Sequence, residues 1–557
     1  MTVTEASRDV AAEAAAAPAP SAPPTGLAAV VGSGDPRIVG KLFVGTSLVF
    51  LLASGVAGAL VGFEQSDASG NEIFQPDTAL RLFTLHSTAA LLLGVLPLLL
   101  GLATAVVPLQ VGASTVAFPR ASAAAYWVWV VSGGIVLASY AIDGGPWGTE
   151  TDAVGLYVLG LAAVTVALFV AALSVVTTVL TLRAPGVTLR RTPLFSWSVL
   201  VGGSVWLLTL PVLGAMLLIT YLDLRYGQQF LGGSAGVYNR IAWLFWQPTL
   251  YLVAVPALGV VSDVVPVFAQ RRHQKHGAAM FLFGLLAAVS FGAWTQVGVS
   301  IDGSTSTPWL FEGPWIVVSF LAIVPVLGLF GLWNLTLATG KVKVSTPLIL
   351  AQLGALSVLV GVVAGGATAI EGLDLDGTTW MTAQSILVLG GALLAGLGGV
   401  AFWAPKLYGK LLPDAVVRLG ATLLFLGVFV AAVPEAVAGA LGQLRFAAGG
   451  VLAVDPGGLP GVDAADVDTV EVLNLVAGIG LAVMVLGGLL VTLALLKRRS
   501  GDGPGDDPWN GHTLEWATTS PPPVGHFAEL PDITSEAPVY DARHAAGRSA
   551  ETTEASA

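Results

Sequence analysis

Residues 82–113 read LFTLHSTAALLLGVLPLLLGLATAVVPLQVGA, and His86 is the only titratable side chain among them. A helix of about 20 apolar residues is long enough to cross the hydrocarbon core of a bilayer. The stretch from about 82 to 107 is therefore predicted to be a transmembrane helix that carries His86 near its start.

Apolar runs of similar length recur along the chain, in which 55% of the 557 residues are hydrophobic and only 11% are charged. This composition excludes a soluble globular protein and predicts an all-α polytopic membrane protein. Twelve spans are predicted, at roughly 40–62, 82–107, 124–142, 155–181, 196–221, 241–268, 278–299, 314–338, 347–369, 380–404, 417–441 and 471–496. Five of the six histidines fall outside these spans, in loops or in the tail, and His86 is the one that lies within a span.

The distribution of basic residues predicts the orientation, because Lys and Arg accumulate at the cytoplasmic ends of membrane helices. With the N-terminus placed inside, 20 of the 24 Lys and Arg residues fall in cytoplasmic segments. The outer loops hold the remaining ones, Arg81, Arg225, Arg240 and Arg445. Both termini are therefore predicted to be cytoplasmic, in a chain that lies in the plasma membrane.

The chain divides into three predicted parts. Residues 1–36 are rich in Ala and Pro and are expected to be disordered, residues 37–499 form the membrane domain, and residues 500–557 form a polar cytoplasmic tail. The chain has no cysteine, which excludes disulfides and thiolate metal sites within it.

Four strings stand in a characteristic order along the chain. They are LFTLHST at 82–88, PLQVGA at 108–113, VSDVVPVF at 261–268 and DPWNGHTLEWATTSPPP at 507–523. Together they resemble subunit I of the haem–copper oxidases, of the cytochrome c oxidase type, over about residues 37–537. The resemblance implies a twelve-helix bundle with both termini inside, and partners similar to oxidase subunits II and III.

The resemblance also implies two haems. One is held by two histidines, on the second and tenth spans, and the other is held by a single histidine. His86 matches the ligand on the second span. On the tenth span, Ala383 and Ser385 occupy the ligand positions, on either side of Gln384, and no histidine exists between His276 and His512.

The copper ion that the resemblance implies needs three further histidines. Gln247, Gln296 and Val297 occupy those positions instead, and Tyr251 matches the tyrosine that the family joins to one of the missing imidazoles. Copper binding is therefore not expected. Gln247, Gln296 and Gln384 are predicted to form a buried amide network that fills the former site, and the alternative is an unusual metal site with hard oxygen ligands.

The groups that carry protons in the resembled family are also missing. Residues 114–116 read Ser-Thr-Val where an acid is expected, Thr249 replaces a glutamate, and Leu329 falls near the position of a lysine. Ionisable groups inside a bilayer are costly, so that their presence would indicate a relay. Their joint absence argues against one.

His86 has two interpretations. It is either the axial ligand of one haem, alone or together with Met381, or it forms a hydrogen bond with a neighbouring helix. Arg445 falls where the resembled family has an arginine beside the haem propionates. Any bound cofactor is therefore expected to be a single haem at His86 with a contact from Arg445.

Three functions remain open, and enzymatic activity is not decided among them. The first is a degenerate subunit I homologue that keeps the scaffold and acts as a structural or regulatory component of a respiratory-type membrane complex. The second is a terminal oxidase subunit or single-haem carrier that moves electrons from cytochrome c towards oxygen. The third is a transporter that reuses the fold.

Acidic residues in the predicted outer loops, among them Glu64, Glu72 and Asp463, bear on these alternatives. They could attract a basic soluble partner such as cytochrome c, or they could be ordinary solvated surface. The other expected surroundings are the lipid bilayer, and no nucleic-acid partner is expected.

Overall fold

The computed structural model describes residues 26–66, 74, 76–146, 148–230, 235–290, 317, 319–445, 462–463, 466–497 and 503–545. Its α-helices are α1 (Leu27–Val31), α2 (Pro36–Glu64), α3 (Pro76–Thr88), α4 (Leu96–Val111), α5 (Pro119–Ala141), α6 (Thr151–Thr181), α7 (Leu194–Tyr226), α8 (Ala235–Phe268), α9 (His276–Val289), α10 (Ile323–Ala338), α11 (Thr346–Ala367), α12 (Thr379–Phe402), α13 (Ala404–Tyr408), α14 (Asp414–Ala440) and α15 (Val467–Leu496). Within these described ranges there is no β-strand, and the one isolated bridge joins Thr378 to Leu444.

Eleven helical segments in the described part of the chain are long and apolar enough to cross a membrane. The predicted span at 278–299 begins in α9, which is shorter, and continues into residues that the structure does not describe. The total of twelve spans and the orientation of the termini therefore stay predictions.

The second span is built from three consecutive pieces. A π-helical segment, Ala89–Val95, joins α3 to α4, and residues 91–111 of this run are all buried, as are residues 251–268 of α8. Single-turn π segments inside α-helices are often found at functional sites. Here the segment begins three residues after His86, at the centre of the bundle.

Helices that follow each other in the chain pack closely against each other, and small residues allow the closest crossings. A Cβ added to Gly354 would lie 2.5 Å from the backbone of α12, and one added to Gly420 would lie 2.8 Å from Gly487 in α15. Any larger side chain at these positions would push the helices apart.

The tail packs against one end of the bundle, and residues 503–545 together with the helix ends that they contact are called the tail face below. Lys406 is fully buried there, and its Nζ donates to the carbonyls of Asp506 and Thr518 at 2.9 and 2.5 Å and to that of Thr519 at 3.4 Å. Trp509 Nε1 donates to Phe402 O at 2.9 Å. These bonds anchor the tail to the end of α12 and to α13.

Part of the N-terminal stretch 1–36 lies within the described residues. Residues 27–31 form α1, and Trp127 Nε1 in α5 donates to Val31 O at 3.1 Å. Asp35 caps α2 by accepting from Arg37 N at 2.9 Å. Residues 1–25 lie outside the described ranges, and the disorder of the stretch stays a prediction.

Candidate functional site

A central cavity of about 820 Å³ lies between the helices, within the range of about 300–1,000 Å³ that is typical of ligand sites. Most of its wall is apolar and is formed by α2, α3, α6, α7, α8, α12 and α15. The polar side chains on this wall include His86, Tyr251, Gln384, Ser385 and Arg445. The fold therefore gathers residues far apart in sequence around one space.

The His86 ring is held by α2. Its Nδ1 lies 2.7 Å from the carbonyl oxygen of Ser54, and Ser54 Oγ donates back to His86 O at 2.9 Å. A carbonyl can only accept, so Nδ1 carries the proton and Nε2 keeps a lone pair. This arrangement, with one ring nitrogen donating to a backbone carbonyl, is the usual support of a metal-binding histidine.

The ring also packs against the backbone of α2 at Gly58. A Cβ added there would lie 2.5 Å from His86 Cε1 and 2.9 Å from Nε2. The sequence alone does not single out Ser54 or Gly58, because nothing beside a lone serine or glycine in an apolar run indicates which residue it will contact.

Tyr251 and Gln384 form a buried hydrogen bond across the cavity wall. Gln384 Nε2 donates to Tyr251 Oη at 3.0 Å, and Gly365 leaves room for both, since a Cβ there would lie 2.2 Å from each of these atoms. The bond joins α8 to α12, and the network of Gln247, Gln296 and Gln384 stays a prediction because the first two side chains lie outside the described residues.

The other residues predicted on the tenth span have their own contacts. Ala383 is fully buried, and Ser385 Oγ donates to Met381 O at 2.9 Å. Met381 lines the central cavity, and its Sδ accepts from Gly377 N at 3.4 Å. Ala383 and Ser385 therefore offer no strong metal ligand, whereas Met381 places a thioether beside the cavity.

The predicted copper positions lie mostly outside the described residues. This applies to the side chain of Gln247 and to Gln296 and Val297 as a whole. In the ranges that are described, no group of three or more His, Cys, Asp or Glu could hold a metal ion.

Arg445 presents an incompletely bonded cation to the cavity. Its backbone N donates to Gly377 O at 2.8 Å, and its guanidinium lies 6.0 Å from the centroid of the Phe83 ring. Nε is buried and has no hydrogen-bond partner in the structure. The buried carboxyl group of Glu435 interacts with this guanidinium electrostatically, and a buried donor without an acceptor is costly, so Nε leaves room for one further anionic group.

Three of the four strings meet elsewhere, in a buried polar network at the tail face. Gln110 Nε2 donates to Asp263 Oδ2 at 2.7 Å and to Glu515 Oε1 at 3.1 Å, while Gln110 Oε1 accepts from Ser196 Oγ at 2.6 Å. Trp403 Nε1 also donates to Glu515 Oε1, at 3.0 Å. Burial raises the pKa of Glu515, and the bonds from Trp403 and Gln110 oppose that rise.

This network explains what the strings do. The one at 108–113 supplies Gln110, the one at 261–268 supplies Asp263, and the tail string supplies Glu515. All three lie apart from the residues that line the central cavity. These three strings therefore encode contacts between helix ends and tail, whereas the fourth, at 82–88, places His86 on the wall of the central cavity.

The sequence pattern described as "Cytochrome C and Quinol oxidase polypeptide I" matches residues 38–493. The chain belongs to this family. It is 30% identical to a putative cytochrome c oxidase subunit 1-beta of Streptomyces avermitilis, over 92% of this chain and 91% of the relative. It is 27% identical to cytochrome c oxidase subunit 1 of Bacillus subtilis, over 92% and 83%.

The fold of this family member also matches a solved structure. A haem–copper terminal oxidase, determined as a dimer by cryo-EM, has a TM-score of 0.64 with 15% sequence identity, over 84% of this chain and 85% of that chain. The predicted all-α haem–copper oxidase architecture of a multi-pass membrane protein is thereby confirmed.

Proposed function

We propose that this chain keeps the subunit I scaffold without the oxygen-reducing centre. In this proposal it is a structural or regulatory component of a respiratory-type complex in the plasma membrane, with subunits similar to oxidase subunits II and III, and it holds one haem at His86. The observation that carries the proposal is that a single histidine lies within the predicted spans, where the family's two haems and copper need six.

The described parts of the former reaction site support this proposal. The Oη of Tyr251 accepts a hydrogen bond from the Gln384 amide, where the family has an imidazole beside this tyrosine. Thr249 is fully buried, and its hydroxyl donates to the carbonyl of Phe245. Leu329 is fully buried in the apolar core. These side chains pack the interior and offer neither a proton carrier nor a copper ligand.

The residues around His86 fit a haem. His86 Nε2 has a lone pair that would bind iron, Arg445 has an unbonded Nε that would donate to a propionate carboxylate, and the cavity wall is mainly apolar. When bound, a haem would supply one-electron transfer. Ser54 would hold the imidazole in the Nδ1-protonated form, and Arg445 would neutralise the carboxylate.

Metal content and oxygen uptake test the loss of the reaction centre. We expect this chain to contribute no copper to the purified complex, because the described side chains supply no set of copper ligands. We also expect the complex to take up no oxygen when it is supplied with reduced cytochrome c. Metal analysis and an oxygen electrode measure both quantities. The oxidase that contains the Bacillus subtilis relative, prepared in the same way, is the control, and stoichiometric copper with turnover in this chain would contradict the proposal.

Gly58→Ala tests whether the ring position of His86 matters. The added methyl group would lie 2.5 Å from the ring, so we expect the imidazole to be displaced and the haem content to fall by at least about tenfold. Gly45→Ala on the same helix is the matched control, since nothing lies within 4 Å of a Cβ at that position. Equal haem content in the two variants would show that the seat against Gly58 has no role in binding.

A further inference from the structure

A second cavity opens at the tail face, and it is independent of the proposed haem site. This basic cleft has a volume of about 930 Å³ and lies between three segments, at 270–274 after α8, 339–341 after α10, and the tail residues around 510–512 and 540–544. Four cationic side chains line it, Arg271, Arg272, Lys341 and Arg543, and none of its lining residues is Asp or Glu.

Two of the four cations have carboxylate partners behind the cleft. Arg272 is paired with Asp541 and also donates to Ser535 Oγ at 3.1 Å, and Arg543 Nη2 lies 2.7 Å from Asp507 Oδ2. These ion pairs fix the two guanidinium groups in position. They also neutralise two of the four charges, so that the excess positive charge of the cleft comes from Arg271 and Lys341.

The other two cations have no carboxylate partner among the described residues. Arg271 Nη1 donates only to the carbonyl of Thr339, at 2.6 Å, and Lys341 forms no ion pair there. Their positions are nonetheless held by the backbone, because Lys341 N donates to Ala269 O at 2.8 Å. Gly340 is required for this close approach, since a Cβ there would lie 2.2 Å from the same oxygen.

His512 adds an unbonded polar atom to the wall of the cleft. The residue is only 5% exposed, and its Nδ1 is buried without a hydrogen-bond partner. Burial lowers the pKa of His512 to about 3, and the nearby charges of Arg543, His544 and Arg272 lower it further while Asp541 opposes them. His512 is therefore neutral at pH 7, and no carboxylate lines the cleft beside its unbonded nitrogen.

We propose that the basic cleft binds a multivalent phosphate-bearing anion. Arginine forks match phosphate oxygens in pairs, and a lysine adds a point charge beside them, which is the common composition of phosphate sites. An excess of basic residues at one membrane face is ordinary. The basic cleft is more specific than such an excess. It is concave and combines two cations that have no carboxylate partner, two cations that are held by ion pairs, and an imidazole nitrogen without a hydrogen bond.

The phosphate group could belong to a soluble compound or to the headgroup of an anionic lipid, since both present the same oxygens. The probe that we propose is inorganic pyrophosphate, titrated calorimetrically into the full-length chain in phosphatidylcholine nanodiscs. The test variant is R271Q/K341Q, which removes the two cations without carboxylate partners. The matched control is R190Q/K343Q, which removes the same charge from two exposed side chains outside the cleft.

We expect wild type and R190Q/K343Q to bind pyrophosphate alike, and R271Q/K341Q to bind at least about tenfold more weakly. R271K/K341R, which keeps both charges, should restore most of the affinity and so exclude misfolding as the cause. Failure of the wild type to bind, or equal weakening in both double neutral variants, would overturn the proposal. Phosphatidylglycerol added to the nanodiscs identifies the source, because it competes with the probe only if lipid headgroups reach the cleft.

Discussion

His86→Ala is expected to remove all haem from the purified chain. The alanine has no lone pair for iron, and the sequence contains no other histidine between residues 37 and 272 that could replace it. We expect about one haem per chain in the wild type and none in the variant. A pyridine haemochrome assay and a reduced-minus-oxidised spectrum of the same sample measure the two quantities.

His544→Ala is the control for this experiment, because His544 is exposed and lies in the tail. It should keep the wild-type haem content. Two haems per wild-type chain would contradict the loss of the reaction centre, whereas no haem in the wild type would refute binding at His86 and leave the scaffold role standing. Met381→Leu separates five-coordinate iron from iron with a thioether ligand, since only the latter spectrum changes.

Asp263→Ala is expected to produce the largest loss of stability among single substitutions at the tail face. The Asp263 carboxylate is buried and accepts from Leu194 N at 3.1 Å, Phe195 N at 3.3 Å and Gln110 Nε2 at 2.7 Å. It thereby caps the start of α7 from a different helix. Gln110 keeps its bond to Glu515, whereas the two backbone donors would be left without an acceptor at about 1–3 kcal/mol each, so we expect the free energy of unfolding to fall by about 3 kcal/mol.

Thermal unfolding in detergent, followed by tryptophan fluorescence, measures this loss, and limited proteolysis reports whether the tail detaches. Asp532→Ala is the matched control, because Asp532 is exposed and the same atoms are removed. Asp263→Asn should lose less, since its remaining carbonyl oxygen still accepts and the repulsion from Glu515 disappears. A loss in Asp532→Ala as large as that in Asp263→Ala would show that the cap contributes nothing.

Much of the fold could be predicted from local patterns. The apolar run that includes residues 82–107 predicts a membrane helix because its length and composition alone match a bilayer. The ordered strings predicted the family, and three of them, at 108–113, 261–268 and 507–523, encode contacts between helix ends and tail. The seventh span, predicted at 278–299, stays a prediction, because it continues beyond α9 into residues outside the described ranges.

The candidate site could be predicted only in part. The sequence named His86, Tyr251 and Arg445, and the structure places all three around the central cavity. It could not show that the carbonyl oxygen of Ser54 accepts a hydrogen bond from Nδ1 or that the ring packs against Gly58, since these residues lie about 30 positions away on another helix. The basic cleft was not foreseen either, because its four cations come from three separate segments.

The sequence by itself determined the class of molecule and the chemistry that it lacks. The length of an apolar run determines where a membrane span lies. A histidine that the sequence lacks is missing in any fold. Only the tertiary structure decided which polar atoms are paired. The lone pair on His86 Nε2, the unbonded Nε of Arg445 and the unpaired cations of the basic cleft follow from how distant segments pack, because burial and hydrogen bonding are properties of neighbours in space.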